Sequence, residues 1–436
     1  MIRYVGLDVH KRIVEACVLD QDGKVVFRLR FGLSRETLAA FAKVRLLPSD
    51  RVVLEATTNT WAVVRILKPF VAEVVVSNPL ATKAIAQAKV KTDKVDAKVL
   101  AQLLRCDFLP TVWEPDEATQ EMRRWTSRRA SLVADRTTVK NRLHSVLAQR
   151  LMVPPDVDLF GKKGRAWLEK LELDAEGRWL LDSDLRLLEA IEREVAALDK
   201  LLAEKGHADA RVRLLMTLPG VQVTVAQGLV AAWGDIQRFR DADHAASYLG
   251  LVPSTKQSAD HCYHGPITKA GRSHARWLLV QAAQHVRLHP GPLGFFFRRL
   301  AKKKNHNVAV VATARKLAVI AWHMLTTNEP YRYAQPDCTQ VKLARLRIQA
   351  TGEIRRGGCG KGVKAKARLA PGVGSRKIKP LAQVYQEEAL PGLALLTPGE
   401  SRMVKQSPAE EYVAGLAQER IVARRQRAKA AVQGSA

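Results

Sequence analysis

Lys91-Thr-Asp-Lys-Val-Asp-Ala-Lys-Val-Leu-Ala-Gln-Leu-Leu104 is the stretch on which the reading of the chain turns. Asp93 and Asp96 are three residues apart, so a helix here sets both carboxylates on one face, within reach of a common ion. Val99, Leu100, Leu103 and Leu104 give that helix an apolar stripe, and Thr92 or Asp93 can cap its start. Two carboxylates this close repel unless a cation lies between them. Hard oxygen ligands of this kind suit Mg²⁺ or Mn²⁺. The plainer alternative is a helix start with acids at its positive dipole end.

Upstream, strand patterns run over residues 3–9, 12–19 and 24–31, the last two joined by Asp20-Gln-Asp-Gly23 with its Asp-Gly hairpin signal. Ser34 is placed to cap a helix through about residue 47. A strand at 51–56, a helix at 61–70, a strand at 73–77 and helices from Pro79 and Asp93 complete the order βββαβαβα. Three meandering strands followed by alternating strands and helices predict an α/β RNase H-like domain. In such a sheet the first and fourth strands are neighbours, which brings Asp8 and Glu55 toward the helical pair. Each interrupts an apolar run, and carboxylates are rare in buried strands unless paired or metal-bound. Asp8, Glu55, Asp93 and Asp96 are therefore the candidate metal ligands.

The chain carries 71 Lys and Arg against 43 Asp and Glu, a net charge of +28, which points to a polyanionic partner, nucleic acid first. No apolar run is long enough to span a bilayer, and the N-terminus leads straight into a strand pattern, so neither a membrane nor a signal peptide is expected. Five scattered cysteines form neither a disulfide framework nor a zinc spacing, which predicts a reducing, cytoplasmic setting.

From Asp116 to Gln149 a helical pattern interleaves Arg128, Arg129, Lys140 and Arg142 with apolar positions, an arrangement suited to phosphate contact or to a solvated face. Residues 151–178 read as a break. Trp179 to Glu204 has a leucine stripe able to pair with the earlier helix or with another subunit. Leu218-Pro-Gly-Val221 between helices resembles a helix-hairpin-helix whose backbone amides, around Gly220, can face a phosphate. A polar loop is expected at 254–265, and helices at 273–286, 307–325 and 410–429. His261 and His264 flank Cys262 without a second ligand pair and are read as loop or phosphate-contacting residues. Residues 352–380 are rich in Gly, Lys and Arg and read as a flexible cationic tail.

Taken together, Val5-Gly-Leu-Asp-Val-His-Lys11, Glu55-Ala-Thr57, Lys91 to Lys98, Leu218-Pro-Gly-Val221, Tyr248-Leu-Gly-Leu-Val-Pro253, Gln257-Ser258 and Gly265-Pro-Ile-Thr-Lys-Ala-Gly271 with Arg276 resemble the DEDD-type transposases of the insertion-sequence-one-ten family, the bridge-RNA-guided recombinases. The likeness covers residues 1 to about 330. It implies a RuvC-like catalytic domain at 1–110, a helical coiled-coil linker at 111–208, a mostly α transposase domain at 209–336, and a basic, partly disordered tail at 337–436 outside the match.

The resemblance places the acidic tetrad on the same four carboxylates and a nucleophilic serine on Ser258, in Gln257-Ser258-Ala259 where the family has Gln-Ser-Gly. Lys11, Lys269, Arg272 and Arg276 join the candidates for nucleic-acid contact. The implied activity is cutting and rejoining of donor and target DNA through a serine–DNA intermediate, guided by a structured RNA, in a dimer or tetramer with composite active sites. Two other readings use the same residues. One is a RuvC-like nuclease or Holliday-junction resolvase with water as nucleophile; the other is a catalytically inactive nucleic-acid-binding protein.

Overall fold

A computed structural model describes residues 2–85, 93–258, 261–353 and 375–423, with backbone alone at 93–94, 375–376 and 421–423. The chain divides into two compact units, residues 1–115 and 116–436.

In the first unit β1 (Tyr4–Val9), β2 (Ile13–Leu19) and β3 (Val25–Gly32) form an antiparallel meander, and β4 (Arg51–Glu55) and β5 (Glu73–Ser77) add in parallel to give the order β3-β2-β1-β4-β5. The expected mixed sheet is therefore present, with the first and fourth strands adjacent. Gly23, at φ +82°, closes the β2–β3 turn, where the amide of Asp20 donates to the Lys24 carbonyl. α1 (Arg35–Arg45) starts with a capping box between Ser34 and Thr37. With α2 (Thr60–Leu67) it covers one sheet face, burying Leu38, Phe41, Val63 and Leu67 against Val5, Leu7 and Leu54.

α3 (Pro79–Ile85) follows β5, and α4 (Asp93–Arg105) covers the opposite face. There Ala97, Leu100, Ala101 and Leu104 meet Cys17, Leu19 and Val53. One small residue sets how closely α4 lies. A Cβ on Gly6 would overlap the Ala97 carbonyl oxygen and stand 2.8 Å from the Ala101 amide nitrogen. Glycine is what lets helix backbone rest on strand backbone.

The second unit is mostly helical. α5 (Glu117–Ala148) and α7 (Ala175–Ala208) pair lengthwise, with the short α6 (Lys162–Lys170) inside the break expected at 151–178. The leucine stripe packs inward: Leu181, Leu188, Val195, Leu198 and Leu202 meet Leu132, Val139, Leu143 and Leu147 of α5. It thus pairs with the earlier helix, and its buried positions do not offer the free subunit contact considered for them.

α8 (Ala210–Leu215), α9 (Val223–Trp233), α10 (Ala242–Tyr248), α11 (Ser273–Val286), α12 (Pro292–Lys303) and α13 (His306–Thr327) surround the main core. α13 is the one described helix long and apolar enough to cross a membrane, and its buried residues Ala314, Leu317, Ala318 and Ala321 belong to that core. Residues 254–265 were expected as a loop; of these, 254–258 and 261–265 instead belong to β6 (Pro253–Ser258) and β7 (His261–Ile267), which pair antiparallel. Nearly all their side chains are exposed, so no polar–apolar alternation marked them as strands.

The core also crosses the boundary expected at 336. α14 (Pro336–Thr351) contributes Leu343 and Leu346, and α15 (Leu381–Glu387) contributes Leu381 and Tyr385, whose hydroxyl donates to the Tyr331 carbonyl at 2.6 Å. The Gly-, Lys- and Arg-rich segment 354–374 lies outside the described residues. α16 (Pro398–Lys405) and α17 (Glu410–Ala414) are short, and within the helix expected to 429 Arg420–Ala423 is instead a strand, β9, paired with β8 (Ser375–Ile378); residues 424–429 lie outside the described residues.

Candidate active site and nucleic-acid surface

Strand register puts Glu15, Asp8 and Glu55 of the first unit on one line. Side chains alternate along a strand, so Asp8 shares the α4 face with Gly6, and Glu55 shares it with Val53. Asp8 pairs with Glu15 of β2, and Glu15 with Arg30 of β3. The β1–β4 ladder reaches Leu7–Leu54, which makes Asp8 and Glu55 the next residues along their strands. Glu55 pairs in turn with Ser77. The row Arg30–Glu15–Asp8–Glu55–Ser77 thus crosses all five strands. Asp96 stands in the first turn of α4, beside the Ala97 that touches Gly6, so the close helix–strand contact brings that turn over the row.

Asp8 is mostly covered, 19% exposed, and its Oδ2 lies 3.2 Å from Nε2 of the more open His10. Glu15 is buried and paired with Arg30, Nε to Oε1 3.2 Å. It was missed at the sequence level, although it interrupts the apolar run of β2 just as Asp8 interrupts β1. Ser77 is fully buried and bonded to Thr82.

Asp93, the remaining expected carboxylate, is described by its backbone alone. Among the described residues no three His, Cys, Asp or Glu side chains are grouped closely enough to enclose a metal ion. The donor chemistry of Asp8, Glu55 and Asp96 is all oxygen and fits a hard divalent cation.

In the second unit Ser258 ends β6, exposed, opposite His261 of β7. Residues 259–260, and with them the Ala that replaces the family's Gly, lie outside the described residues. His264 stays within the hairpin, Nδ1 3.1 Å from Thr255 Oγ1. Lys269, at φ 54°, sits in the tight return at the base of the hairpin, and Gly271 at φ 73° packs against the Tyr248 carbonyl. Arg272 is exposed and its Nε donates to the Tyr248 hydroxyl at 3.5 Å. Arg276 is engaged with backbone, donating to the carbonyls of Leu249 at 2.9 Å and Ala270 at 3.2 Å.

Gly220 takes φ 74° in the turn between α8 and α9, pressed on the Ala282 carbonyl. Lys342 of α14 supports this turn from beneath, donating to the carbonyls of Leu218 at 2.7 Å and Val221 at 3.2 Å. Burial pushes its ammonium down to about 7.

The basic face of α5 is largely committed to α7. Arg129 pairs with Asp199, Arg142 with Asp184 at 3.1 Å and Lys140 with Glu192 at 4.0 Å; Arg128 is exposed. Lys11 is exposed on the turn after β1.

A transposase model of the DEDD IS110 type matches residues 5–152, and one described as "Transposase IS116/IS110/IS902 family" matches residues 212–294. Together they span more than half of the chain. A protein of Sinorhizobium fredii described as a transposase, y4qE, is 27% identical over 62% of this chain and 65% of its own length. The transposase for insertion sequence element IS1111A of Coxiella burnetii is 24% identical over 76% of this chain and 92% of its own length. The pilin gene-inverting protein of Moraxella bovis is 24% identical over 75% of this chain and 97% of its own length. The chain is a member of the IS116/IS110/IS902 family of insertion-sequence transposases.

Proposed function

We propose that the protein is a recombinase that cuts and rejoins donor and target DNA, with Asp8, Glu55, Asp93 and Asp96 as one half of its reactive centre and Ser258 as the other. The observation that carries this reading is the carboxylate row. Asp8 and Glu55 lie side by side at one end of the sheet, on the face where α4 brings its acidic first turn. Carboxylates gathered this way repel, and a fold keeps them when a cation offsets the repulsion.

Asp8, Glu55, Asp93 and Asp96 would hold Mg²⁺ or Mn²⁺, which when bound polarises a phosphodiester and stabilises charge on the entering and leaving oxygens. Ser258 supplies the nucleophilic oxygen. Its Oγ forms a bond to phosphorus, the bond from phosphorus to a deoxyribose oxygen breaks, and the serine proton ends on the departing hydroxyl. One phosphodiester is exchanged for another, so rejoining by the reverse step needs no external energy source. The exposed position of Ser258 suits a duplex substrate.

The net charge of +28 supports a large nucleic-acid assembly. On the family resemblance this includes a structured guide RNA that pairs with donor and target, in a dimer or tetramer where the carboxylates of one subunit meet the serine of another. Within such an assembly the backbone amides around Gly220 and the cations Lys11, Arg128, Lys269 and Arg272 serve as phosphate contacts.

The test is a denaturing gel of the protein with its flanking RNA, Mg²⁺ and labelled donor and target DNA, beside Ser258→Ala and Asp93→Ala. A protein–DNA adduct in the wild type, absent from both variants, is the expected result. Cleavage without an adduct, unchanged in Ser258→Ala, would leave a water-using nuclease and overturn the serine step.

A further inference from the structure

Three arginines far apart in sequence meet at one phenol. Arg123 comes from α5, Arg238 from the single 3-10 turn after α9 (Ile236–Arg238), and Arg272 from the residue preceding α11. Arg123 donates to the carbonyls of Ala231 at 2.7 Å and Ala232 at 2.9 Å, and Arg238 to that of Trp233 at 3.0 Å. The last carbonyls of α9, at its negative dipole end, thereby fix two guanidinium groups. Arg238 lies 4.4 Å from the Tyr248 ring centroid and 4.0 Å from that of Phe239, and Arg272 Nε points at the Tyr248 hydroxyl.

The cations act on one another and on the phenol. Desolvation, then Arg272, lowers Arg123 to about 10. The Tyr248 hydroxyl falls below its usual value although burial, the largest influence, pushes it up; Arg272, Arg123 and Arg238 outweigh that burial. Asp235 is the acid felt by Arg238. A third feature lies on the same helix start. α11 begins without a side-chain cap, and in its first turns Trp277, 52% exposed, stacks on His274 with centroids 6.2 Å apart and planes 17° from parallel.

We propose that Arg123, Arg238 and Arg272, arranged around Tyr248 at the start of α11, form a binding site for the phosphodiester backbone of a nucleic acid, with Trp277 as a neighbouring surface for a base. Guanidinium groups already oriented by α9 lose little freedom on meeting a phosphate. An exposed indole beside cations is the arrangement on which an unpaired base stacks. Both features together favour a nucleic acid over a free anion. The site deepens the reading of the protein as a DNA-processing enzyme and does not depend on how the chemistry is done.

The experiment measures binding of a fluorescein-labelled, random-sequence DNA duplex, and separately of a single-stranded RNA, across KCl concentrations in EDTA. Arg272→Gln, at an exposed position, is expected to weaken binding several-fold and to lower the slope of log K against log[KCl] by about 1, equally for unrelated sequences. Arg272→Lys should restore the slope. Arg240→Gln, 80% exposed and paired with its neighbour Asp241, should match the wild type.

Loss of slope with DNA assigns the site to donor or target, and with RNA to an RNA backbone; both uphold it. A wild-type slope in Arg272→Gln, with melting unchanged, overturns the site while leaving the recombinase reading in place. A wild type that binds neither probe overturns both.

Discussion

The seam between α5 and α7 and the row across the first sheet both concentrate charge, and they do so in opposite ways. In the seam cations meet acids: Arg129 with Asp199, Arg142 with Asp184, Lys140 with Glu192. In the row Glu15, Asp8 and Glu55 occupy three adjacent strands with like charge; Glu15 pairs with Arg30 and Asp8 lies against His10. Matched charges hold two helices together and have little left to offer a ligand. Like charges on one face cost stability, and a fold that keeps them has a use for what offsets them. The same contrast separates Arg142, neutralised in the seam, from Arg272, which faces a phenol and two more arginines.

The contrast can be broken most sharply at Asp8. Asp8→Asn is expected to cut strand cleavage by on the order of 10³-fold or more with the melting temperature held or raised, because one like charge has gone. A variant that keeps its activity would make the row structural. Gly6→Val forces a side chain into the Ala97 carbonyl. Thermal unfolding of the first unit should show a loss of about 1–3 kcal/mol, and cleavage should fall with it as α4 is displaced.

Glu15→Gln keeps the shape and removes the charge next to Asp8. A reduction of about 10–100-fold with intact fold is expected if Glu15 orients its neighbour, and the Mn²⁺ concentration for half-activation should rise with it. Lys342 is a buried charge set against the carbonyls of Leu218 and Val221. Its proton leaves near pH 7 in the folded protein but near 10.4 in the unfolded chain, so the unfolded state binds more protons between these values. Stability should therefore rise with pH across that window, and Lys342→Met should flatten the rise in a series of denaturant melts. The smallest effect belongs to the seam. Arg142→Gln should cost about 1 kcal/mol or less and leave the salt dependence of DNA binding unchanged; a drop in slope would return Arg142 to the nucleic-acid surface.

How legible these regions were in the sequence follows from their physics. The sheet declared itself because β1, β2 and β4 are apolar on both faces, which makes Asp8 and Glu55 conspicuous interruptions. The same test applied to β2 would have found Glu15. The serine hairpin did not declare itself, since a strand pair exposed on both faces has no alternation to read. Residues 336–387 mix charge with scattered apolar positions, so the burial of Leu343 and Tyr385 depended on neighbours that only the fold supplies. Arg123, Arg238 and Arg272 are brought together by tertiary structure alone, and no local spacing could announce them.

The exposed hairpin has one more consequence. It is tied down at its base, where the amides of Thr268 and Lys269 donate to the carbonyls of Val252 and Gly250, and it buries almost nothing toward its tip. An isolated two-stranded ribbon is marginally stable in water, so Ser258 rides on an element whose local opening costs little. On the proposed mechanism, ordering that ribbon falls to the substrate: a duplex laid against it would raise the fraction of time the Ser258 hydroxyl spends poised, and without DNA entropy alone would keep it idle.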